Sequence, residues 1–239
     1  MKYLLEIWRQ RDRETEGSFR TYLYETGSLS VTVASALSEL NGRKELKDIS
    51  GEITEKIVWE CSCLQKKCGA CAMLIDGRPR LACDTKLSEN KKGKIRLEPL
   101  RKFPIIADLT ADRQVIFDDL KRMQIWSESE IFADDRNNSL MYEASRCIQC
   151  GCCLEVCPNF AAGEKFYGMS AMVPASRLLA VMKGKNGSDL RKQYGKVITD
   201  GCGKSLACRN ICPAGIDIEG LMARSNAAVL WRSLFGFMR

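Results

Sequence analysis

The chain has 239 residues, 45% of them apolar and 28% charged, with a formal net charge of +7 and no histidine. That length can pack one or two domains, and without imidazole there can be no Rieske centre, histidine-ligated haem or mixed cysteine and histidine zinc site. The thirteen cysteines stand in metal-ligand spacings, and Met1 to Arg9 holds no apolar signal core, so the thiols are expected to ligate metal in a reducing compartment rather than form disulfides. No segment offers the roughly 18 apolar residues that span a bilayer, so any membrane link is expected to come through a partner. Lysine and arginine are scattered without a recognised binding motif, and nucleic acid is not an expected partner.

In chain order, alternation from Tyr3 to Trp8 predicts a strand, Arg9 to Gly17 a turn, and Phe19 to Tyr24 a second strand. Thr32 is expected to cap a helix running through Leu40 and stopping before Asn41-Gly42. Ile57-Val58-Trp59 reads as a strand entering the first cysteine group. Met73 to Ile75 and Pro79 to Ala82 read as a hairpin about Asp76-Gly77, and Ile95 to Leu97 as a closing strand. After the basic stretches Lys91-Lys92-Gly93-Lys94 and Arg101-Lys102-Phe103-Pro104 the strand pattern is expected to end, which sets an α+β fold with domains over residues 1–104 and 105–239. Helical spacing marks Arg113 to Met123, Leu140 to Arg146 with Asn137-Asn138-Ser139 as its cap, Pro174 to Met182 ended by Gly184, and Ile216 to Leu230. The aromatic tail from Trp231 to Met238 can dock on a partner or pack on its own domain.

The cysteines carry the chemistry. Cys63, Cys68, Cys71 and Cys83 have the plant-type C-x4-C-x2-C spacing of a 2Fe-2S cluster with a distant fourth ligand, and the loop's backbone N–H groups at Lys66, Lys67, Gly69 and Ala70 can bond its sulfurs. The alternative is a four-cysteine zinc site, which favours two short knuckles over a lone fourth ligand. Cys61 is a bystander or an alternative ligand. Further on, Cys147, Cys150, Cys153, Cys157 and Pro158 form the bacterial C-x2-C-x2-C-x3-C-P run, and Cys202 to Pro213 repeats it with Ser205 in place of the second cysteine. In such pairs the fourth cysteine of each run ligates the other cluster. Cys147, Cys150, Cys153 and Cys212 are therefore expected to hold a 4Fe-4S cluster. Cys157, Cys202 and Cys208 make up a second site that lacks one ligand, which predicts 3Fe-4S; a 4Fe-4S cluster completed by serine or water is the alternative. Cys152 falls outside the register and is expected to pack as a small buried residue. No catalytic base or nucleotide loop is apparent, so catalytic residues are expected elsewhere and the chain reads as an electron wire.

With these groups placed, the whole chain resembles the iron-sulfur subunit of succinate dehydrogenase and fumarate reductase. The likeness rests on the Cys63 to Cys83 group, on both C-terminal runs, and on Phe103-Pro104-Ile105-Ile106-Ala107-Asp108-Leu109, which is similar to the family's F-P-x-I-x-D-L. The resemblance implies a β-grasp 2Fe-2S domain followed by an all-helical ferredoxin domain. It also implies a flavoprotein subunit with FAD, where succinate and fumarate interconvert, and a membrane anchor, in many members with haem b, where quinone reacts. The chain would then be a peripheral protein at the cytoplasmic face of the cell membrane. Ubiquinone-using members tend to carry tryptophan after the first Cys-Pro and histidine after the first cysteine of the second run, where this chain has Ala161, Ala162 and Gly203. Its runs look more like those of menaquinone-using bacterial enzymes, which implies menaquinone, with Pro158, Asn159, Phe160 and Lys204 lining its site. The rival expectation is a wire subunit of a soluble or thiol-linked flavoprotein reductase. The direction of turnover is not set, because the same carriers run either way.

Overall fold

A computed structural model describes residues 1–126, 135–182 and 184–231; the tail after Trp231, with its expected docking role, lies outside them. The chain divides into two compact units, Met1–Asp112 and Arg113–Arg239.

In the first unit β1 (Lys2–Arg9) and β2 (Ser18–Glu25) pair antiparallel from Lys2 opposite Glu25 to Arg9 opposite Ser18. Period-two alternation turns Tyr3, Leu5 and Ile7 into the core. Thr32 caps α1 (Val33–Gly42) by accepting from the Ser35 N–H, and Val33, Ala34, Ala36, Leu37 and Leu40 form its buried face. Two short strands, β3 (Leu46–Lys47) and β4 (Ile53–Thr54), follow. Next come β5 (Ala72–Ile75) and β6 (Arg78–Leu81), joined at Asp76 and Gly77 with φ of 51° and 75°, the double left-handed turn that suits a twisted hairpin. β7 (Lys94–Glu98) lies parallel to β1 and antiparallel to β5. The sheet order β2-β1-β7-β5-β6, with α1 following β2 in the chain, is the mixed, single-helix arrangement that the sequence predicts.

Two expectations are corrected here. Ile57-Val58-Trp59 is not a strand: side chains take most of its backbone bonds, and the Val58 carbonyl accepts one isolated backbone bond, from the Leu109 N–H at 3.1 Å. Asn41 accepts from the Ile57 N–H and donates to the Ile57 carbonyl, both at 2.8 Å, and Asp108 Oδ2 accepts from the Val58 N–H at 2.8 Å. Strand structure also continues past residue 104, in β8 (Ile105–Ala107) and β9 (Thr110–Ala111). The first unit accordingly extends to Asp112, and the reason is Asp108. Its buried carboxylate accepts from the Gln10 N–H at 2.9 Å and lies 3.1 Å from Arg9 Nε, a charge contact whose N–H is not aimed at the oxygen. The Arg9 guanidinium also bonds the Tyr22 hydroxyl and the carbonyls of Glu55 and Lys56.

The second unit contains α2 (Gln114–Arg122), α3 (Asp135–Ser145), α4 (Cys152–Glu155), α5 (Gly168–Leu179), α6 (Gly184–Tyr194) and α7 (Ile218–Asn226), with π-helical turns at Gly195–Thr199 and Ala227–Trp231. α5 touches α2, α3, α4, α6 and α7 and is buried on nearly every face, with Met169, Ala171, Met172, Val173, Ala175, Leu178 and Leu179 in the core. Three helix boundaries differ from expectation. Asn137 to Ser139 lie inside α3 rather than capping it, and Gly184 opens α6 rather than ending the helix before it. Pro174 lies within α5, which begins at Gly168. A proline inside a helix leaves the carbonyl four residues back without its donor. Here that carbonyl, Ser170, accepts instead from Gln149 Nε2 at 3.2 Å.

Asp108→Ala is expected to destabilise the first unit by about 2–3 kcal/mol, since it leaves the backbone donors of Gln10 and Val58 without their acceptor and removes the carboxylate beside half-buried Arg9. Thermal unfolding of the variant beside the parent measures this.

Candidate metal centres

The first cysteine group lies on the loop before β5 and at the end of β6. Leu64 and Lys66 take φ of 53° and 62°, which turns successive N–H groups inward. Gln65 and Lys67 each donate to Cys63 Sγ at 3.3 Å, and Lys66 donates to Cys83 Sγ at 3.3 Å. The donors at Lys66 and Lys67 are those expected from the sequence; Gln65 adds one that spacing did not reveal. These bonds hold the Cys63 thiol down to about 7, while burial pushes Cys71 up to about 12. The Cys63 and Cys68 thiols are hydrogen-bonded, as are those of Cys71 and Cys83, so the loop brings its three cysteines up to the one that follows β6. Cys61 is exposed.

In the second unit Cys147, Cys150, Cys153 and Cys212 line a single cavity, closed by Ile148, Met169, Val173, Ala214, Ile216 and Ile218. Cys212 comes from the distant run, as the crossing rule expects. Burial pushes Cys147 up to about 11 and Cys153 well above the ordinary range. Cys150 is held down to about 7, chiefly because the Cys152 thiol donates to it. Cys152 is fully buried, as expected of a packed residue, and this hydrogen bond is an addition to that reading. Next to this cavity, burial pushes Cys208 up to about 11, and its neighbours Cys157, Cys202 and Cys212 act in the same direction. Those sulfurs therefore stand within electrostatic reach of one another. Cys202 Sγ lies 3.9 Å from Met222 Sδ.

Among the described residues no three histidine, cysteine, aspartate or glutamate side chains converge on a point that could hold one ion. Cys147, Cys150, Cys153 and Cys212 nonetheless share one cavity wall, an all-sulfur donor set of the kind that holds iron-sulfur clusters. Thiols whose burial opposes ionisation ligate only as thiolates, so loading these sites must displace protons.

The two runs wind alike. Gln149 and Gly151, two and four residues after Cys147, have φ of 51° and 84°; Lys204 and Leu206, at the same offsets from Cys202, both have 55°. The loop at Ser205 thus keeps the shape of the loop at Cys150. Ser205 is exposed, and its hydroxyl stands 3.5 Å from the Ala207 N–H.

Of the residues expected near quinone, Pro158, Asn159 and Lys204 are exposed, whereas Phe160 is buried in the core. Asn159 Nδ2 donates to the Gly201 carbonyl at 2.8 Å and ties the two runs together. A Cβ on Gly203 would come within 2.8 Å of the same Nδ2, which leaves little room for a side chain there. Sequence reasoning missed Arg113, whose Nη1 donates to the Cys150 carbonyl at 3.3 Å, and Gln149, whose Nε2 lies 3.3 Å from Cys147 Sγ. A polar residue between two ligand cysteines was the available signal for the latter.

Comparison with known proteins agrees with this geometry. Residues 4–118 match the family model of a 2Fe-2S iron-sulfur cluster binding domain, and residues 143–216 that of a 4Fe-4S dicluster domain. The succinate dehydrogenase iron-sulfur subunit of Bacillus subtilis is 33% identical over 87% of this chain and 86% of its own length. The chain belongs to the succinate dehydrogenase and fumarate reductase iron-sulfur subunit family. Within that family the fumarate reductase iron-sulfur subunit of Mycobacterium tuberculosis is 26% identical over 93% of this chain and 91% of its own. A chain of the Mycobacterium smegmatis Sdh1 complex, 22% identical, superposes with a TM-score of 0.77 over 94% of this chain and 95% of that one. As an iron-sulfur subunit of this family the protein serves electron transfer, with a β-rich 2Fe-2S domain preceding a helical 4Fe-4S domain.

Gly168 shows how tightly the first run is packed: its φ is +64°, and a Cβ there would fall 2.3 Å from Leu154 Cδ2. Gly168→Ala is expected to cost about 1–3 kcal/mol through overpacking and backbone strain. Chemical denaturation followed by helical circular dichroism reads the loss.

Proposed function

We propose that this chain is the electron-relay subunit of a membrane-associated succinate dehydrogenase or fumarate reductase. It carries electrons between FAD on a flavoprotein partner and a quinone at a membrane anchor. The observation that carries this reading is the meeting of two distant cysteine runs at two neighbouring sites, Cys212 with Cys147, Cys150 and Cys153, and Cys208 beside Cys157 and Cys202. In this reading the first set holds 4Fe-4S, the second 3Fe-4S, and Cys63, Cys68, Cys71 and Cys83 hold 2Fe-2S. Bound clusters supply one-electron redox steps. The chain's own residues enclose them, aim N–H donors at the thiolates and exclude water.

Three features favour 3Fe-4S at the second site. Ser205 occupies the fourth ligand position, its loop keeps the ferredoxin winding, and its hydroxyl faces a local backbone N–H. Among the described residues no helix is long and apolar enough to cross a membrane. Membrane attachment, at the cytoplasmic face, then falls to the anchor, with haem b if the anchor binds it. The Mycobacterium smegmatis relative belongs to a complex, which supports assembly with such partners. Menaquinone is favoured by the alanines at 161 and 162 and by Gly203, which stand where ubiquinone-using members tend to carry tryptophan and histidine. Pro158, Asn159 and Lys204 are the exposed candidates for its site, with Phe160 supporting them from the core.

Redox titration of the purified complex by electron paramagnetic resonance, with iron analysis, tests the cluster set. The expected result is about nine irons per chain and a signal in the oxidised state that mild reduction abolishes. Iron near ten without that signal would falsify the three-iron site. Two variants should separate the sites: Cys212→Ala should remove the four-iron signal, and Ser205→Cys should convert the oxidised-state signal to that of a fourth-iron-completed cluster. Loss of the same cluster in Cys157→Ala and Cys212→Ala would contradict the crossing assignment.

A further inference from the structure

The cavity walled by Cys147, Cys150, Cys153 and Cys212 contains one polar side chain whose full hydrogen-bonding capacity is not met. Gln149 points its amide into this wall, and among the described residues its Oε1 is buried without a partner. The Nε2 end, by contrast, is doubly engaged, donating to Cys147 Sγ at 3.3 Å and to the Ser170 carbonyl at 3.2 Å. Both neighbours are acceptors only, once Cys147 is a thiolate, so the amide cannot flip without setting oxygen against oxygen and oxygen against sulfur. The Ser170 carbonyl is available because Pro174, four residues on in α5, has no N–H to give it. The φ of 51° at Gln149 turns the residue toward this helix. Proline gap, left-handed residue and amide thus make one device that holds an N–H against a single sulfur.

We propose that Gln149 is a positioning residue that raises the reduction potential of the cluster held by Cys147. This rests on the assignment of the four-iron cluster to that cavity. The reduced cluster carries one more negative charge than the oxidised one, and that charge spreads onto the ligand sulfurs. A fixed N–H donor stabilises it more than it stabilises the oxidised state. In a low-dielectric, largely apolar enclosure the effect is strengthened. The residue neither ligates iron nor exchanges electrons, so cluster content should not depend on it.

The test is a potentiometric titration, followed by electron paramagnetic resonance, of the purified complex carrying Gln149→Met, which keeps the length of the side chain and loses the donor. The expected result is full iron content, unchanged midpoints for the other two clusters, and a four-iron cluster about tenfold harder to reduce, about 59 mV lower for one electron. Gln149→Glu, which turns an acceptor and a charge toward the sulfur, should lower the midpoint further. A midpoint in both variants equal to the parent's overturns the inference while leaving the cluster assignment intact. Absence of any reduced four-iron signal in the parent overturns the assignment and the inference together. If neither variant assembles, the parent decides: with glutamine labelled by 15N in its side-chain amide, pulsed resonance of the reduced four-iron cluster should show a weak 15N coupling, and its absence counts against the proposal.

Discussion

Placing several thiolates round a shared, buried space is the constraint on which the helical unit depends. Each such group opposes the ionisation of its neighbours, and burial opposes it again, as the raised Cys147, Cys153 and Cys208 show. The unit tolerates this by surrounding the sulfurs with N–H and S–H donors and with apolar walls, and by leaving the compensating positive charge to iron. α5 is the element that makes the arrangement rigid. It is buried on nearly every side, and residues of both cysteine runs, one before it in the sequence and one after, line a cavity with its Met169, Ser170 and Val173.

The first unit solves a different problem with one carboxylate. Between β4 and the cysteine loop the chain must leave the sheet and still satisfy its backbone. Asp108 does this from fifty residues away in sequence, accepting from Gln10 and Val58 and balancing Arg9. The F-P-x-I-x-D-L segment is therefore a structural clasp of the first unit rather than a linker, and β8 and β9 form around it.

The two units aim N–H donors at cysteine sulfur by one physical device in two forms. In the first, left-handed residues Leu64 and Lys66 present backbone donors to Cys63 and Cys83. In the second, left-handed Gln149 presents a side-chain donor to Cys147. A peptide N–H cannot be removed by ordinary mutation, whereas an amide side chain can, so the donor at Cys147 is the more adjustable of the two.

The sequence by itself determined the cysteine chemistry, because ligand spacing is local and a C-x2-C-x2-C-x3-C-P run has few other uses. The gap at Ser205 was legible for the same reason, as was the candidacy of Cys212 for the cavity of the first run, and so were β1, β2, α1 and the Asp76-Gly77 turn, where period and cap agree. The tertiary structure alone decided what depends on partners distant in sequence. Ile57 to Trp59 carries a strand pattern, yet Asn41 and Asp108 take most of its backbone bonds. Pro174 signals a helix start, yet α5 passes through it, and the carbonyl it leaves without a donor accepts from Gln149. Gln149 itself reads as filler between ligands until the fold sets the Ser170 carbonyl beside it, since a hydrogen bond between residues 149 and 170 leaves no trace in local pattern.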